Sequence, residues 1–322
     1  MDVSIILITY NSQDTISECL NHINLSISDS KLNCELIIVD ALSKDNTLAL
    51  IKSNSLYQKL ISTNKLNRSS SFNMGVDQAN GKYICRVDSR SLIPKNYIKD
   101  CFYFLEENKE YFNVGGKMFP KNPNKFIEVL YTNIISFGNA DFRISDIDKD
   151  VDSVYLGFFN KKIFLDLGGY DEKIGFINEE TDLNYIAIKK GFLIRLLSNL
   201  NVVYLTRNKI IDYHLTMQRY GAARCGFFLK HKKLSNRIIL FIIFYLSSFI
   251  NICLFFYYIK NTYLSLFILQ FFILFVFFFK YSKKSRLNNF KRCIVFFQIV
   301  TGHIYWLKGF LGRLLYKNKK YN

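Results

Sequence analysis

The chain has 322 residues and a formal net charge of +17, but the excess charge is confined to one part of it. Residues 1–212 contain 25 Lys and Arg and all 26 Asp and Glu, a net charge of −1, whereas residues 213–322 contain the other 18 Lys and Arg. The basic half is rich in Phe, Ile, Leu and Tyr, which favours an anionic membrane over a nucleic acid as its partner. The apolar fraction of 50% also argues against a disordered or low-complexity chain.

Three short apolar segments in the first half each end on polar residues. They are Val3–Ile8 with Thr9, Tyr10 and Asn11, Glu35–Val39 with Asp40, and Tyr83–Val87 with Asp88. The pattern of a strand that ends on polar residues and is followed by a helix is repeated. This repetition predicts an α/β domain with a mainly parallel sheet. Ligands of such sheets bind outside the carboxyl ends of the strands, so we expect these polar residues to converge on one crevice. The alternative is that they only form turns and helix caps.

Other classes of protein are disfavoured by what the first half lacks. No glycine-rich phosphate loop follows the first apolar segment, which argues against a dinucleotide-binding Rossmann enzyme. The seven cysteines are dispersed without zinc-site spacing, so we expect reduced thiols in a cytosolic compartment. The N-terminal residues lack the basic region of a signal peptide, and no export is expected.

The densest cluster of carboxylates lies at residues 177–182 and contains Glu179, Glu180 and Asp182. Acidic residues are common in the first turn of a helix because the helix dipole favours them there. The cluster is therefore either an ordinary helix start or a set of catalytic groups.

Two long apolar segments follow in the basic half, Ile238–Ile259 and Asn261–Phe279. Each is long enough to cross a hydrocarbon core of about 30 Å as a helix, so we predict a membrane hairpin over residues 238–279. The outer flanks are basic, whereas the turn holds only Lys260. Because positive charge stays in the cytoplasm, both ends of the hairpin and the N-terminal half are predicted to be cytoplasmic. Two core helices of a soluble domain are the alternative.

A third apolar segment, Cys293–Leu307, is shorter and contains Gln298, Thr301 and His303. Basic residues surround it. We expect this segment to be an amphipathic helix lying in the membrane interface, within a basic C-terminal region over residues 280–322.

Several segments of the chain carry a resemblance to a known family. They are SIILITYN, ELIIVDALSKDNT, NRSSSFNMGVDQANGKYICRVDSRSLIPKNYI, VGGKMFP, FGNADFR, VDSVYLGFFNKKIF, LGGYDEKIGFINEETDLNY, RYGAAR and GHIYWLKGFLG. In this order they resemble glycosyltransferase family 2, and most of all the branch that includes the succinoglycan-building glucosyltransferases. The resemblance implies a GT-A fold over residues 1–212, a basic juxtamembrane connector over residues 213–237, and inverting transfer of a sugar from a nucleotide-sugar donor.

The resemblance also assigns site residues. The donor nucleotide is expected to contact Thr9, Tyr10, Asn11, Asp40, Arg68, Asn73, Asp88 and Arg90. Family members present Glu-Asp where this chain has Glu179-Glu180, so the base that deprotonates the acceptor hydroxyl is expected to be Glu180. Glu179 or Asp182 would serve instead if the backbone is shifted.

The chain departs from the family at its D-x-D element, because Arg90 replaces the second acid after Asp88. One hypothesis is that Asp88 and a distant residue, His214, still hold Mg²⁺ or Mn²⁺. A second is that the Arg90 guanidinium, which can pair with phosphate oxygens, partly replaces the cation. The third is that Arg90 pairs with an acid in residues 141–152. We favour a retained divalent cation.

Arg219 and Arg224 precede the first apolar segment. They are expected to contact a diphosphate of the donor or of a lipid acceptor, or else to bind lipid headgroups.

The leading functional hypothesis is a multi-pass enzyme of the plasma membrane with a cytoplasmic catalytic domain. It would transfer a sugar, most simply from a UDP-sugar, to a polyprenyl-diphosphate-linked glycan in capsule, exopolysaccharide or O-antigen synthesis. Anionic membrane lipids are expected partners, and nucleic acid is not, because the basic residues flank apolar spans. The alternatives are a polyprenyl-phosphate glycosyltransferase and an inactive membrane scaffold that keeps the fold.

Overall fold

A computed structural model describes residues 1–54, 56–64, 67–132, 145–174, 179–282 and 287–316. Its contacts divide the chain into two compact units. The first contains Met1–Lys121 and Ala140–Arg207, and the second contains Asn122–Asn139 and Asn208–Asn322.

The strands all belong to the first unit. They are β1 (Val3–Thr9), β2 (Cys34–Asp40), β3 (Lys59–Ser62), β4 (Tyr83–Asp88), β5 (Ser91–Leu92), β6 (Tyr111–Pro120), β7 (Lys149–Asp150), β8 (Tyr155–Asn160) and β9 (Leu193–Tyr204). The helices of this unit are α1 (Ile16–Ser30), α2 (Thr47–Lys52), α3 (Arg68–Asp77), α4 (Tyr97–Glu107), α6 (Lys161–Asp166) and α7 (Glu179–Lys189), with α5 (Phe126–Thr132) belonging to the second unit.

The strands form one mixed sheet in the order β3-β2-β1-β4-β8-β6-β9-β5, with β7 paired to β9. The block from β3 to β4 is parallel, and so is the long pairing of β6 with β9, whereas the antiparallel pairings are short. The predicted α/β domain with a mainly parallel sheet is therefore confirmed.

The sheet is covered on both faces, and this explains the sequence of its central strands. β1 is buried along its whole length, and alternate residues such as Ile5 and Ile6 belong to two different apolar clusters. A strand buried on both faces reads as a continuous apolar run rather than as an alternating one. Packing against both clusters holds the central strands in place and thereby positions their polar carboxyl ends.

The second unit is helical. Besides α5 it contains α8 (Ile210–His231), α9 (Asn236–Tyr258), α10 (Asn261–Tyr281) and α11 (Asn289–Leu315). Most of the predicted basic connector, residues 213–237, thus lies in helix α8. The domain boundaries deduced from the sequence stay predictions.

Among the residues that the structure describes, three helices of the second unit are long and apolar enough to cross a membrane. The segments are Ile238–Tyr258, Asn261–Lys280 and Asn289–Leu315. Large side chains such as Phe249, Phe256 and Phe272 of the first two are mostly exposed, which argues against core helices of a soluble domain. The number of passes and the orientation stay predictions.

Candidate active site

The polar ends of the three central strands are neighbours at one edge of the sheet. Register pairs Thr9 of β1 with Asp40 of β2, and the residue before Thr9, Ile8, with Asp88 of β4. Parallel strands bring their carboxyl ends to the same edge, which is where α/β proteins bind ligands. The structure therefore places the first group of expected donor contacts together.

Two of these residues are used to build the rim of the site. The Asp40 carboxylate is buried and accepts hydrogen bonds from the Ser43 backbone N–H at 2.8 Å and from the Ser43 hydroxyl at 2.6 Å. Asn11 has a left-handed backbone, φ 46°, and its Oδ1 accepts from the Lys44 N–H at 2.8 Å. Asn tolerates this conformation better than most residues. Contact of Asp40 and Asn11 with the nucleotide stays a prediction.

Tyr10 and Thr9 differ in their exposure. The Tyr10 ring, 44% exposed, stands at the rim and is accessible to a planar base. Thr9 is buried, and among the described residues its hydroxyl has no hydrogen-bond partner.

A cluster of opposite charges lies beside Asp88, which ends β4. Asp88 Oδ2 accepts a hydrogen bond from Arg68 Nη2, and Asp88 Oδ1 accepts one from Arg86 Nε at 3.1 Å. Arg86 Nη2 also lies 2.7 Å from Glu179 Oε1 of α7, and Arg68 Nε lies 3.7 Å from the same oxygen. Two guanidinium groups thus link the D-x-D strand to the acidic cluster.

Arg86 is the member of this cluster that the sequence analysis missed. Its side chain is 4% exposed, and its guanidinium carbon lies 5.8 Å from the Phe72 ring centroid and 5.5 Å from that of Tyr170. A buried charge needs paired and hydrogen-bonded surroundings, which Asp88, Glu179 and the aromatic faces supply. The signal was present, because residues i and i+2 of a strand lie on one face, so Arg86 and Asp88 had to point the same way.

The charge pairs determine the protonation state of Asp88. Burial by itself favours the neutral acid, but the nearby Arg68 and Arg86 outweigh it and hold the pKa of Asp88 below its ordinary value. Asp88 is therefore a carboxylate at neutral pH.

The three acids at the start of α7 differ in their exposure. Glu179, 1% exposed, faces Arg86 and is buried, and Asp182 is buried as well. Glu180 is half-buried and is thus the most accessible of the three. Burial, and then the negative charge of Glu179, raise the pKa of Glu180 above its ordinary value. A raised pKa makes a carboxylate a better proton acceptor near neutral pH.

Asn73 supports the wall of the site. Its Nδ2 donates to the Tyr170 carbonyl at 2.8 Å, and its Oδ1 accepts from the Tyr170 N–H at 3.1 Å. The amide thereby fixes the Tyr170 ring against Arg86. A direct contact of Asn73 with the nucleotide stays a prediction.

The Arg90 side chain has no hydrogen bond or ion pair within the ranges that the structure describes. Three of the acids that it was alternatively expected to meet have other partners, since Lys117 binds Asp146, Ser198 binds Asp148 and Arg195 binds Asp150. Asp141 lies outside the described residues. Arg90 is half-buried and remains available to an anion.

Three expected site residues lie in helix α8 of the second unit. His214 Nε2 is hydrogen-bonded to Thr301 Oγ1 at 2.9 Å, and its ring stacks on Tyr305 at 4.8 Å between centroids. Arg219 is exposed, and Arg224 is half-buried. Their roles toward metal, diphosphate or lipid stay predictions.

The ligands around Asp88 could hold a divalent cation only together with the phosphates of a bound substrate. Within the described ranges, no three His, Cys, Asp or Glu side chains form a ready-made metal site. Mg²⁺ at nucleotide sites is commonly held by one or two carboxylates together with substrate phosphates. Asp88, whose side chain is 16% exposed, fits that role as a single carboxylate.

Comparison with known proteins identifies the family of the chain. The family model described as glycosyl transferase family 2 matches residues 4–168, which is just over half of the chain. The chain is 26% identical over 248 residues to dolichyl N-acetyl-alpha-D-glucosaminyl phosphate 3-beta-D-2,3-diacetamido-2,3-dideoxy-beta-D-glucuronosyltransferase of Methanococcus voltae, covering 69% of this chain and 72% of that one. It is 24% identical over 244 residues to succinoglycan biosynthesis protein ExoA of Rhizobium meliloti, covering 70% and 72%.

Among solved structures, the chain is similar to the mannosyltransferase PcManGT of Pyrobaculum calidifontis, which was solved in complex with GDP-Man and Mn²⁺. The TM-score is 0.62 at 15% identity, over 98% of this chain and 88% of that one, and this likeness confirms the predicted GT-A fold. The chain therefore belongs to glycosyl transferase family 2 and is a glycosyltransferase.

Proposed function

We propose that this enzyme transfers a sugar, with inversion, from a nucleoside diphosphate donor to a hydroxyl of a lipid-linked oligosaccharide in surface polysaccharide or glycolipid synthesis. The names of two relatives support the proposal. One acts on a dolichyl N-acetylglucosaminyl phosphate, and the other is a succinoglycan biosynthesis protein. Helices able to cross a membrane fit an acceptor that is confined to the bilayer.

The observation that carries the proposal is the contrast between Glu179 and Glu180. Glu179 is buried against Arg86, which fixes the start of α7, while the neighbouring Glu180 is accessible and has a raised pKa. This arrangement holds one carboxylate ready to accept a proton. In the proposed reaction Glu180 takes the proton of the acceptor hydroxyl as its oxygen attacks the anomeric carbon, and the bond from that carbon to the diphosphate breaks.

The departing diphosphate gains negative charge, which must be offset. Arg90 lies two residues after the end of β4 and can make paired hydrogen bonds to phosphate oxygens. Asp88 is the residue that would hold a divalent cation, which when bound neutralises diphosphate charge. Tyr10 offers an exposed ring at the rim of the site for the donor base.

A UDP-sugar is the proposed donor and a polyprenyl-diphosphate-linked glycan the proposed acceptor. A polyprenyl-phosphate acceptor is the alternative substrate. Its phosphate oxygen is already ionised and needs no base, whereas a sugar hydroxyl does. The two acceptor classes are therefore separated by the requirement for Glu180.

The experiment compares Glu180→Gln with the wild type and with Glu107→Gln, a change at an exposed glutamate of the same unit. The purified full chain is assayed with UDP-, GDP- and TDP-sugars and lipid-linked acceptors, and donor binding is measured separately. We expect Glu180→Gln to lower transfer by a factor on the order of 10²–10⁴ with donor binding intact. Transfer by Glu180→Gln near the wild-type rate contradicts the hydroxyl acceptor, and absence of donor turnover in the wild type favours a scaffold.

A further inference from the structure

Helix α11 has two opposite apolar faces, and only one of them is covered. The covered face contains Val295, Ile299, Gly302, Trp306, Gly309 and Phe310. On the other side, Phe290, Phe297, Ile304 and Leu311 recur every seven residues and are 74%, 62%, 55% and 49% exposed. Seven residues make about two helical turns, so these four side chains form one exposed stripe along the helix.

The covered face of α11 packs closely on helix α8. A Cβ atom added to Gly221 of α8 would lie 1.9 Å from the Trp306 carbonyl oxygen, and one added to Gly309 would lie 1.9 Å from the Gln218 carbonyl oxygen. Only glycine allows two backbones to approach so closely. α11 is therefore packed against α8 over several turns, and the two helices must lie together, either inside or outside a bilayer.

Helix α8 is too polar to enter a hydrocarbon core. It carries Asp212, Arg219, Arg224 and Lys230, and charged residues inside a bilayer are rare and costly. If α11 crossed the membrane, these charges of α8 would be carried in with it. The packing of the two helices thus opposes a third span.

The contacts between α11 and the hairpin lie near the open end of the hairpin. His303 contacts Phe241 and Tyr245 of α9, and Phe296 contacts Phe275 and Phe278 of α10. Residues 238 and 282 mark the open end of the hairpin. Each of these partners lies at most seven residues from one of them, and seven residues of helix are about 10 Å long. A helix of 27 residues is about 40 Å long. α11 therefore crosses the open end instead of running along the hairpin.

The charges around α11 suit an anionic surface. Residues 213–322 contain 18 Lys and Arg and no carboxylate. Lys308 is exposed on the same side as Ile304 and Leu311, and a lysine there can bury its stem in lipid while its ammonium reaches the headgroups. Basic residues near a membrane surface attract anionic lipids.

We propose that α11 lies in the plane of an anionic bilayer, with the stripe of Phe290, Phe297, Ile304 and Leu311 inserted at the boundary between headgroups and acyl chains. Interfacial helices bury their apolar face to about this depth of 5–10 Å. The chain then crosses the membrane twice, through α9 and α10, and α11 covers the open end of the hairpin.

The test uses the single tryptophan of the chain as a depth probe. In a Trp306→Phe background, which keeps an aromatic ring beside Phe310, tryptophan is placed at Phe297, Ile304 or Leu311. Phe249→Trp, in the middle of α9, is the deep control. The full chain is reconstituted in vesicles of equal parts phosphatidylglycerol and phosphatidylcholine, and quenching by lipids brominated at shallow or deep acyl positions is compared.

We expect the three α11 positions to share one shallow depth, within about 5 Å, and the α9 control to be deep. A spanning helix would change depth by about 10 Å between successive positions, because they are seven residues apart. That gradient, or a lack of quenching at all three positions, would overturn the proposal.

A second measurement does not depend on the tryptophan variants. Reporter proteins are fused to either end of the otherwise unchanged chain, and their accessibility is compared in intact and opened membrane vesicles. Two crossings place both reporters on the same side, as we expect. Reporters on opposite sides would mean three crossings and would contradict an in-plane α11.

Discussion

Arg86 Nη2 lies 2.7 Å from Glu179 Oε1, while the Nε of the same guanidinium donates to Asp88 Oδ1 at 3.1 Å. One buried side chain thus connects the end of β4 with the start of α7. The donor-side carboxylate and the acidic cluster are held by the same group.

Replacing Arg86 with Met is expected to destabilise the protein by about 3–5 kcal/mol, because the change leaves Glu179 buried without its closest charge partner. Thermal unfolding in detergent measures the effect. Lys121→Met, which breaks the exposed pair of Lys121 with Glu18, is the matched control and is expected to cost at most about 1 kcal/mol. Equal losses from the two changes would contradict the role given to Arg86.

The pH dependence of transfer is expected to follow Glu180. A base works in its ionised form, so the rate should fall as the pH drops through the raised pKa of Glu180. Glu179→Gln removes a negative neighbour, lowers the pKa of Glu180 and should move this acidic limb to lower pH. Profiles of kcat/KM for the wild type, Glu179→Gln and the control Glu107→Gln test this. An acidic limb that stays in place in Glu179→Gln would remove Glu180 from the role of base.

Removal of divalent cations is expected to stop transfer, because the diphosphate needs an offsetting charge. Treatment with EDTA followed by added Mn²⁺ or Mg²⁺ measures the requirement. Asp88→Asn is expected to raise the Mn²⁺ concentration needed for half-maximal activity. Full activity in EDTA would show that the cation is dispensable.

Arg90→Met is expected to weaken donor binding by about tenfold or more, since hydrogen bonds to charged groups contribute roughly 1.5–3 kcal/mol. The KM for the donor should rise while the folded state keeps its stability, because Arg90 has no ion pair within the described ranges. Arg207→Met, at an exposed arginine of the same unit, is the control. A donor KM that is unchanged in Arg90→Met would exclude a phosphate contact.

Gly309→Leu is expected to force α8 and α11 apart, because an added Cβ would lie 1.9 Å from the Gln218 carbonyl oxygen. Overpacking of this kind costs about 1–3 kcal/mol or more. Lys308→Leu places the same side chain one residue earlier, on the exposed face, and should be close to neutral in detergent. Similar melting temperatures for the two variants would argue against close packing at Gly309.

The sequence allowed the fold to be predicted where a single physical rule governs the pattern. β1 and β2 are continuous apolar runs because both faces of the sheet are covered. α9 and α10 were predicted as long apolar helices. Their side chains remain exposed along the helices, as expected of helices that face lipid.

The site was harder to predict, since it depends on which partner each polar side chain finds. The contacts of Asp40 and Asn73 with the nucleotide stay predictions, whereas their hydrogen bonds within the protein, to Ser43 and to the Tyr170 backbone, follow from no sequence pattern. The strand period placed Arg86 on the same face as Asp88, but its second partner, Glu179, lies 93 residues away and no sequence pattern links the two. Tertiary contacts of this range leave no periodic signal.

The ion pairs around Asp88 also determine how much net charge faces an incoming nucleotide-sugar donor. Arg68 and Arg86 contribute two positive charges, and Asp88 and Glu179 contribute two negative ones, so the four groups are electrically neutral together. The two arginines are already balanced and hold no surplus charge for an incoming diphosphate. Ionised Glu180 would even make the surroundings repel it. An anionic donor must therefore bind to positive charge from outside this quartet, and until that charge is in place the donor's own negative charge would raise the pKa of Glu180 further.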